Sequence, residues 1–332
     1  MEIEKSKLLK ALETVKPGLA SKEMIEQSTH FCFKDKFVIT YNDEISISCP
    51  IDLELEGAVN ATELYGYLQK VSGDKLELTE TETEIVIKAG KSKAGFVLIP
   101  EIKLPIEEIG KVSKWKKLPD NFLAGVNFAM SVCSRDMSKP LLTCVHVNEE
   151  HVEASDNYRA ARFILTEKMP VKSFLLPANI CVKLVKLSIE EVAEGTGWIH
   201  FKTIDKAIIS CRIFEETFPD ISKHLQVKGP SITFPKTITG ILDRAGVFAK
   251  RDQMLDESII VNVSEKKIQI KAESASGWYD EKEKIDYSGE EITFSITPYL
   301  FKDILKQTDK GIIGKTMLCF KGENWTYITM VK

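Results

Sequence analysis

A glycine-rich run ending in Lys-Thr is the segment of the chain that most resembles a chemical motif. Gly311-Ile312-Ile313-Gly314-Lys315-Thr316 ends as a phosphate-binding P-loop does, but the first glycine of that motif would fall at position 309, which is Asp. The context is also reversed, because a predicted helix precedes the run and a predicted strand follows it. The run therefore predicts no nucleotide site.

A second short motif, Ser155-Asp156-Asn157, matches a triplet found in β-lactamases. No Lys-Thr-Gly element accompanies it, and the chain contains no Gly-x-Ser-x-Gly nucleophile motif. Matches of three letters arise easily by chance. Catalysis is therefore the weakest of the functions that we consider.

The cysteines and histidines lack the spacings that bind metals or form redox pairs. None of the seven cysteines belongs to a CxxC pair, and most sit in apolar stretches such as Cys144-Val145-His146-Val147. We therefore expect buried, reduced thiols. The five histidines form no HxxxH or HExxH pair that would place two rings on one helix face. We expect no catalytic residue, no metal ion and no cofactor.

The elements that would position any site repeat three times along the chain. Apolar residues at i, i+3 and i+4 spacing predict a first helix in each repeat, at intervals of about 115 residues. A strand, a polar turn and a second strand follow each helix, with alternation such as Ile268-Gln269-Ile270-Lys271. The first helices are predicted at residues 8–15, 122–130 and 238–245, and the hairpins at 31–41, 144–154 and 260–272.

A second helix recurs in each repeat, between alternating strands. These helices are predicted at residues 61–71, 177–188 and 297–308, and polar, Pro-bearing connectors near 111–119 and 226–235 separate the repeats. A solenoid unit would be shorter, roughly 20–50 residues. We therefore predict three similar α+β domains, each a doubled helix-plus-antiparallel-strands unit, over residues 1–114, 115–227 and 228–332.

Length and composition agree with a protein of several domains. The 332 residues exceed the size at which a single core stops growing, and 43% hydrophobic with 28% charged residues is typical of globular proteins. The charged N-terminal residues lack the apolar region of a signal peptide, and no apolar run approaches the roughly 18 residues that cross a bilayer. We expect a cytoplasmic protein with no membrane partner.

Charge is distributed unevenly between the predicted helices and the rest of the chain. The formal net charge of −4 argues weakly against nucleic-acid binding. However, six helical segments carry a net charge of +9, so the remaining residues carry −13; the segments are 5–16, 61–71, 120–135, 177–188, 236–251 and 297–308. Solvated lysines on exposed helix faces are one explanation. The other is that the helices share one side of the sheets and present cations to a polyanion.

Nothing in the chain predicts that bases are read. It contains no helix-turn-helix, zinc-finger or aromatic RNA-binding motif. Contacts with phosphates alone would bind DNA independently of its sequence and permit movement along it.

Several short stretches carry a family resemblance that covers the whole chain. They are Ala154-Ser155-Asp156-Asn157-Tyr158-Arg159-Ala160, Phe218-Pro219-Asp220, Arg244-Ala245, Val263-Ser264-Glu265 and Tyr287-Ser288-Gly289-Glu290. In their order and spacing they resemble the β sliding clamp of bacterial replication, the processivity subunit of DNA polymerase III. The resemblance implies a head-to-tail homodimer whose six domains close a ring around duplex DNA. Twelve helices would line the hole, and the sheets would form the outer layer.

The resemblance implies three groups of site residues. The DNA-facing candidates in the bore are Lys7, Lys10, Lys22, Arg135, Lys183, Lys186, Lys250, Lys302 and Lys306. The partner-peptide cleft would be lined by Leu142, Ser155, Asn157, Tyr158, Arg159, Ala160, Pro219, Lys223, His224, Ile328 and Met330, with Arg159 and Lys223 at its rim. The dimer contact would join Val247 and Phe248 of one copy to the strand Phe96-Val97-Leu98 of the next.

The implied partners are duplex DNA, the replicative DNA polymerase, a clamp loader and other proteins with a clamp-binding motif. The cleft departs from the family pattern, because Asn157-Tyr158 stands where Gly-His is usual and Ala160 replaces a larger aliphatic residue. We therefore expect a wider cleft with a different motif preference, as in a clamp from a phage or mobile element. The main alternative is a monomeric repeat scaffold that never closes on DNA. Molar mass in solution separates the two, because a stable dimer favours the ring.

Overall fold

The computed structural model describes residues 1–110, 112, 114–252 and 256–331, and this part of the chain forms two compact units. Unit 1 comprises Met1–Ala124, Val147–Glu149 and Thr166–Glu216, and unit 2 comprises Gly125–His146, Glu150–Leu165 and Thr217–Lys332. Both units combine α-helices with antiparallel sheets. The α+β class expected from the repeats is therefore confirmed.

Six α-helices lie within the described residues, and their apolar residues face the sheets. In the first of them Leu8, Leu12 and Val15 are buried at i, i+4 and i+7. Asn60 caps the second helix, because its side-chain oxygen accepts hydrogen bonds from two backbone N–H groups of the first turn. The helices are α1 (Lys5–Val15), α2 (Ala61–Lys70), α3 (Phe122–Met130), α4 (Ala178–Leu184), α5 (Ile238–Ala249) and α6 (Pro298–Leu305); single 3-10 turns lie at Lys16–Gly18, Ile106–Ile109 and Pro140–Thr143.

The described residues form 24 strands; some, such as Lys267–Ser274, show the alternating burial that the period of two predicts, and others, such as Trp198–Thr203, are buried at several consecutive positions. They are β1 (Glu2–Glu4), β2 (His30–Lys34), β3 (Phe37–Tyr41), β4 (Ile45–Pro50), β5 (Gly57–Asn60), β6 (Lys75–Glu80), β7 (Glu84–Ala89), β8 (Ser92–Val97), β9 (Lys116–Lys117), β10 (Cys144–Val147), β11 (His151–Ser155), β12 (Arg159–Ile164), β13 (Phe174–Pro177), β14 (Ile189–Glu194), β15 (Trp198–Thr203), β16 (Ile208–Arg212), β17 (Ser231–Thr233), β18 (Ile259–Ser264), β19 (Lys267–Ser274), β20 (Gly277–Lys284), β21 (Ile292–Ile296), β22 (Lys310–Ile313), β23 (Met317–Lys321) and β24 (Trp325–Met330).

Twelve of the described strands of unit 1 form two antiparallel sheets. One has the order β5-β2-β3-β4-β16-β15-β14-β9, and the other has the order β1-β6-β7-β8. In the longer sheet β4 pairs with β16, so strands about 160 residues apart in the sequence become neighbours. This pairing crosses the predicted domain boundary between residues 114 and 115.

Unit 2 repeats the same plan in its described residues. In the longer sheet the strands of unit 2 follow the order β10-β11-β12-β24-β23-β22-β17, and the shorter sheet has the order β20-β19-β18-β21. Here β12 pairs with β24 across the predicted boundary between residues 227 and 228. Each predicted domain boundary is therefore crossed by a sheet. The division of the chain into three domains stays a prediction.

The predicted helices are found with small differences in length. Helix α4 ends at Leu184 instead of residue 188, because the following N–H groups of Lys186 and Leu187 bond to carbonyls three residues back, as in a tighter turn. Both predicted connectors contain a short strand, β9 or β17. Lys111 and Ser113 of the first connector lie outside the described residues.

The seven cysteines all belong to the described residues, and each is buried. Burial raises the pKa of the Cys32 thiol to about 12 and also raises the pKa values of Cys133 and Cys211. The expectation of buried thiols is confirmed. Among the described residues, no helix has the length and apolar character that crossing a bilayer requires.

Candidate partner-peptide cleft and DNA-facing cations

The turn between β11 and β12 carries two of the predicted cleft residues, Asn157 and Tyr158. The side-chain Oδ1 of Asp156 accepts hydrogen bonds from the backbone N–H groups of Tyr158 at 3.0 Å and Arg159 at 2.8 Å. Asn157 has a φ of 76°, in the left-handed region that asparagine tolerates better than most residues with a side chain. Asn157 can therefore occupy a backbone position that favours glycine, and it adds an exposed side chain there.

Arg159, which we expected at the cleft rim, is instead buried. Its Nε and Nη2 groups donate to Oδ2 of Asp156 at 2.9 and 2.7 Å, which fixes the turn from within. Burial alone would lower the pKa of Arg159, but the neighbouring Tyr327 and Asp156 raise it above its ordinary value. The guanidinium therefore stays charged and holds the turn that carries Tyr158.

The pairing of β12 with β24 brings the C-terminal cleft residues to this turn. Ala160 lies opposite Ile328 in the ladder, and the backbone N–H of Met330 donates to the carbonyl oxygen of Tyr158 at 2.7 Å. Ile328 is 5% exposed, whereas Met330 is 47% exposed. Met330 and Tyr158 therefore offer accessible surface, and Ala160 and Ile328 belong to the packed sheet beneath it.

The segment of residues 218–225 supplies the remaining predicted residues, and we call it the cleft segment. Phe218, Ile221 and Leu225 are buried and anchor it, whereas the predicted Pro219, Lys223 and His224 are exposed. Of the other candidates, Leu142 and Ser155 are half-buried. All eleven predicted cleft residues belong to unit 2.

A group of ionisable side chains around the buried Glu153, which we call the charge network, lies beside the cleft segment in unit 2. Its centre is Glu153, which is 3% exposed; Oε1 of Glu153 lies 2.8 Å from Nδ1 of His146, and Oε2 lies 3.2 Å from Nε2 of His151. The Nε group of Arg162 donates to Oε2 of Glu153 at 2.7 Å. The Nη2 group of Arg162 donates to the hydroxyl of Ser222 in the cleft segment at 3.0 Å.

The charge network keeps the Glu153 carboxylate ionised although it is buried. Burial would raise the pKa of Glu153, but hydrogen bonds to His146 and His151 and the charge of Arg162 lower it to about 2. The His146 ring also stacks on Phe218, with ring centroids 5.0 Å apart. Two members of the network therefore contact the cleft segment.

Sequence reasoning missed the charge network, although a signal was present. Glu153 and Arg162 are equally distant from the Asn157-Tyr158 turn, so an antiparallel hairpin must place them opposite each other, as the ladder does. Counting the strand register outward from the turn would therefore have predicted the pairing of Glu153 with Arg162. The contact between Arg162 and Ser222, 60 residues further along the chain, could not be inferred in this way.

Three of the predicted DNA-facing cations come together in unit 1. Lys22, Lys183 and Lys186 line one cavity of about 980 Å³, together with the exposed side chain of Met24. Lys183 is half-buried there, and its burial lowers the pKa of its ammonium group. The cavity thus brings together lysines from α4, from the turn after it and from the loop after α1, and the carboxylates of Glu13, Asp43 and Glu44 also line it.

Lys7 and Lys10 line a separate cavity of about 430 Å³ in unit 1, where each faces an acid. Lys10 pairs with Asp205 at 2.8 Å, and the hydrogen bond to this carboxylate raises the pKa of Lys10. Lys7 lies 3.3 Å from Glu4. Both pairs are exposed, so they leave the lysines able to exchange partners.

The four candidate cations of unit 2 fall into two classes. Lys302 pairs with Asp243 across α5 and α6, and Lys306 pairs with Asp303 at 3.3 Å. Arg135 and Lys250 are exposed, and within the described residues neither forms an ion pair. Arg135 and Lys250 are therefore the unit 2 cations most available to a phosphate.

The residues predicted for the dimer contact differ in accessibility. Val97 is 73% exposed and Val247 is 71% exposed, which is unusual for valines in a strand and a helix. Phe96 and Leu98 are buried in their own unit, where Phe96 packs against Tyr67 with ring centroids 5.5 Å apart. Phe248 is half-buried and stacks on Tyr279 at 6.1 Å. Of these five residues, Val97 and Val247 present most of their side chains to a partner.

The described residues contain no group of three or more His, Cys, Asp or Glu side chains arranged to hold a metal ion. In the charge network, the Glu153 carboxylate is already engaged by Arg162.

Comparison with solved structures defines the class of fold. No protein-family model matches the sequence, and no curated protein matches it. Solved structures of bacterial DNA polymerase III β subunits, the sliding clamps, match the chain over its whole length. The chain therefore has the sliding-clamp fold, and the resemblance seen in the sequence is confirmed at the level of the fold.

The particular structures are remote in sequence. The DNA polymerase III subunit beta of Pseudomonas aeruginosa is 16% identical with a TM-score of 0.87, and the match covers 100% of this chain and 99% of that chain. The beta chain of Streptococcus pneumoniae is 19% identical with a TM-score of 0.86 and coverages of 100% and 98%. The beta subunit of Thermotoga maritima is 16% identical with a TM-score of 0.85 and the same coverages.

Proposed function

We propose that this protein is a DNA polymerase processivity factor with no catalytic activity of its own. Two copies, each of three domains, close head to tail into a ring that encircles duplex DNA and slides along it. The ring tethers the replicative polymerase and other replication proteins through the partner-peptide cleft. The observation that carries the proposal is the match of the fold to sliding clamps over 100% of this chain and 98–99% of theirs.

The cations of the helices and adjoining loops support DNA as the encircled partner. Lys22, Lys183 and Lys186 share one cavity, and Arg135 and Lys250 are exposed cations of unit 2. Phosphate contacts alone hold DNA with a Kd of roughly 10⁻⁴–10⁻⁶ M, which is too weak to retain a polymerase. A closed ring does not need tight contacts, because it leaves only by opening or by passing a DNA end.

Two edge strands support the head-to-tail ring. Within the described residues, β8 is an edge of the shorter sheet of unit 1 and β20 is an edge of the shorter sheet of unit 2. Unpaired edges are a liability that proteins cover or pair. Pairing β8 of one copy with β20 of the next would satisfy both edges and would place Val97 and Val247 in the contact.

The accessible residues around Tyr158 support a peptide as the means of tethering. Met330 and Tyr158 supply apolar surface at the end of the ladder that joins β12 and β24, and Lys223 supplies an exposed cation in the cleft segment. An extended segment of a partner would place aliphatic and aromatic anchors against the apolar surface, while the cation meets polar or acidic groups. The polymerase, the clamp loader and other motif-bearing proteins would compete for this site.

The test is retention on DNA with and without free ends. Fluorescent protein is loaded onto a nicked circular plasmid with the cognate clamp loader and ATP, and the complex is separated from free protein at high salt. We expect retention on the circle and rapid loss after one restriction cut. Equal retention on circular and linear DNA, or none on either, would contradict a topological link and favour the non-ring scaffold.

A further inference from the structure

The charge network of unit 2 has no counterpart among the described residues of unit 1, although the two units share the same backbone at this place. In unit 1 the turn between β3 and β4 matches the turn between β11 and β12. Oδ1 of Asn42 accepts from the N–H groups of Glu44 at 3.2 Å and Ile45 at 3.0 Å, as Asp156 does in unit 2. Asp43 has a φ of 73°, which compares with 76° for Asn157.

The strand pairing next to the turn is also repeated. The backbone N–H of Arg212 donates to the carbonyl oxygen of Glu44 at 2.8 Å, as that of Met330 donates to Tyr158. The following connectors resemble each other, since Ile99-Pro100-Glu101-Ile102 corresponds to Phe218-Pro219-Asp220-Ile221. Residues can therefore be matched between the units by their register.

Matched in this way, the two charged partners of unit 2 correspond to neutral residues of unit 1. Glu153 pairs with Arg162 in the ladder, and the corresponding pair of unit 1 is Ile39 with Ser48. Ile39 packs on a buried apolar cluster that includes Cys32 and Trp198. The connector of unit 1 is held by one neutral side chain, because the amide of Gln27 bonds to the backbone of Glu101 at 2.7 Å and Lys103 at 2.8 Å.

The comparison shows that this backbone does not require buried charges. Replacing buried ion pairs by apolar residues is often neutral or stabilising, since each charge loses its hydration on burial. Unit 1 has neutral residues at this place, and their burial costs less free energy. Unit 2 has the charged pair, which lies beside the predicted cleft. In unit 2 the charges reach the cleft segment directly, through Arg162 to Ser222 and through His146 to Phe218.

We propose that Glu153 and Arg162 are positioning residues of the partner-peptide cleft. Glu153 orients the Arg162 guanidinium, and Arg162 holds Ser222, so that the neighbouring Pro219 and Lys223 stay where a peptide meets them. This inference rests on the proposed function, because it assigns the charged network to the cleft. Its consequence is that the network sets peptide affinity more than it sets the stability of unit 2.

The experiment replaces the network by the residues that unit 1 uses. Glu153→Ile with Arg162→Ser should fold, because the same backbone accommodates Ile39 and Ser48. We expect amide hydrogen exchange in residues 218–224 to be about tenfold faster and the affinity for a clamp-binding peptide of the cognate polymerase to be about tenfold weaker. The weaker affinity follows if the binding-competent arrangement is populated about a tenth of the time, and the faster exchange follows because the segment then opens more often. Arg162→Lys, which keeps the charge but has no planar fork, should give intermediate values.

The control breaks an ion pair beside the turn between β3 and β4 in unit 1. Arg212 pairs with Asp43 at 2.6 Å, and Arg212→Met with Asp43→Asn should leave both exchange in residues 218–224 and peptide affinity unchanged. A folded Glu153→Ile, Arg162→Ser variant with wild-type exchange and wild-type affinity would overturn the inference. If the wild-type protein binds no such peptide, the proposed cleft function fails. In that case amide hydrogen exchange in residues 218–224 alone decides whether the charge network positions the cleft segment. Exchange unchanged from the wild type would overturn the inference.

Discussion

The backbone N–H of Met330 donates to the carbonyl oxygen of Tyr158 at 2.7 Å, so two large, exposed residues of the predicted cleft are held side by side by main-chain geometry. Substituting either side chain should leave this hydrogen bond in place. The surface that a partner would touch can therefore be changed without altering the strand pairing that carries it.

For the cleft, we expect Met330→Ala to weaken binding of a clamp-binding peptide by about 1–2 kcal/mol with little change in the unfolding midpoint. Ile328→Ala is the matched comparison, because Ile328 is 5% exposed and its truncation leaves a cavity that costs about 2–4 kcal/mol of stability. Isothermal calorimetry and urea unfolding measure the two effects. Unchanged peptide affinity in Met330→Ala would place the partner surface elsewhere.

For DNA contact, we expect Lys22→Glu, Arg135→Glu and Lys250→Glu together to weaken binding to duplex DNA and to lower the slope of log K against log salt. Each phosphate that no longer meets a cation should lower the slope by roughly one unit. Lys10→Gln with Lys302→Gln serves as the control, since these lysines already face Asp205 and Asp243 and should matter less. A salt slope unchanged by the triple substitution would mean that these three side chains do not face DNA.

For assembly, we expect Val247→Glu to convert dimers into folded monomers, because a carboxylate at an apolar contact loses its hydration without gaining a partner. The Val247 side chain contributes little to its own unit, as its 71% exposure indicates. Ile204→Glu changes an equally exposed aliphatic residue of unit 1 outside the predicted contact and should leave the dimer intact. Light scattering after size exclusion at low micromolar concentration gives the mass; a dimer in both variants argues against this interface.

For pH dependence, the informative residue is His200 of unit 1. It is buried, its Nδ1 lies 2.9 Å from the Ser210 hydroxyl, and burial lowers its pKa to about 4 from an ordinary value of 6.5. The unfolded chain binds this proton at higher pH than the folded chain does. The stability that depends on neutral His200 is therefore complete above pH 6.5 and is lost as the pH falls towards 4, by on the order of 2–3 kcal/mol.

The measurement compares urea unfolding of the wild type with His200→Gln between pH 7 and pH 4. Glutamine can still form a hydrogen bond with Ser210 but does not titrate. The free energy of unfolding of the His200→Gln variant should therefore fall less steeply over this pH range than that of the wild type. Parallel curves for the two proteins would show that His200 does not carry the pH dependence.

Sequence reasoning predicts periodic elements well and the accessibility of individual residues poorly. Helix α3 has the predicted bounds, because its apolar spacing is regular. Phe96, Val97 and Leu98 are all apolar. The period of two in a strand shows that the Val97 side chain points away from those of Phe96 and Leu98, but it does not show which of the two faces is buried. The pairing of Lys302 with Asp243 joins two helices through residues 59 positions apart and leaves no local signal.

The burial of the cysteines has a practical consequence for experiments. The thiolate is the form that attacks a thiol-reactive dye, and the pKa of about 12 at Cys32, with raised pKa values at Cys133 and Cys211, keeps that form scarce. A single cysteine introduced at an exposed position such as Ile204 would be the one that reacts quickly. Fluorophore pairs for single-molecule measurements can therefore be attached without first removing the seven native cysteines from the packed interior.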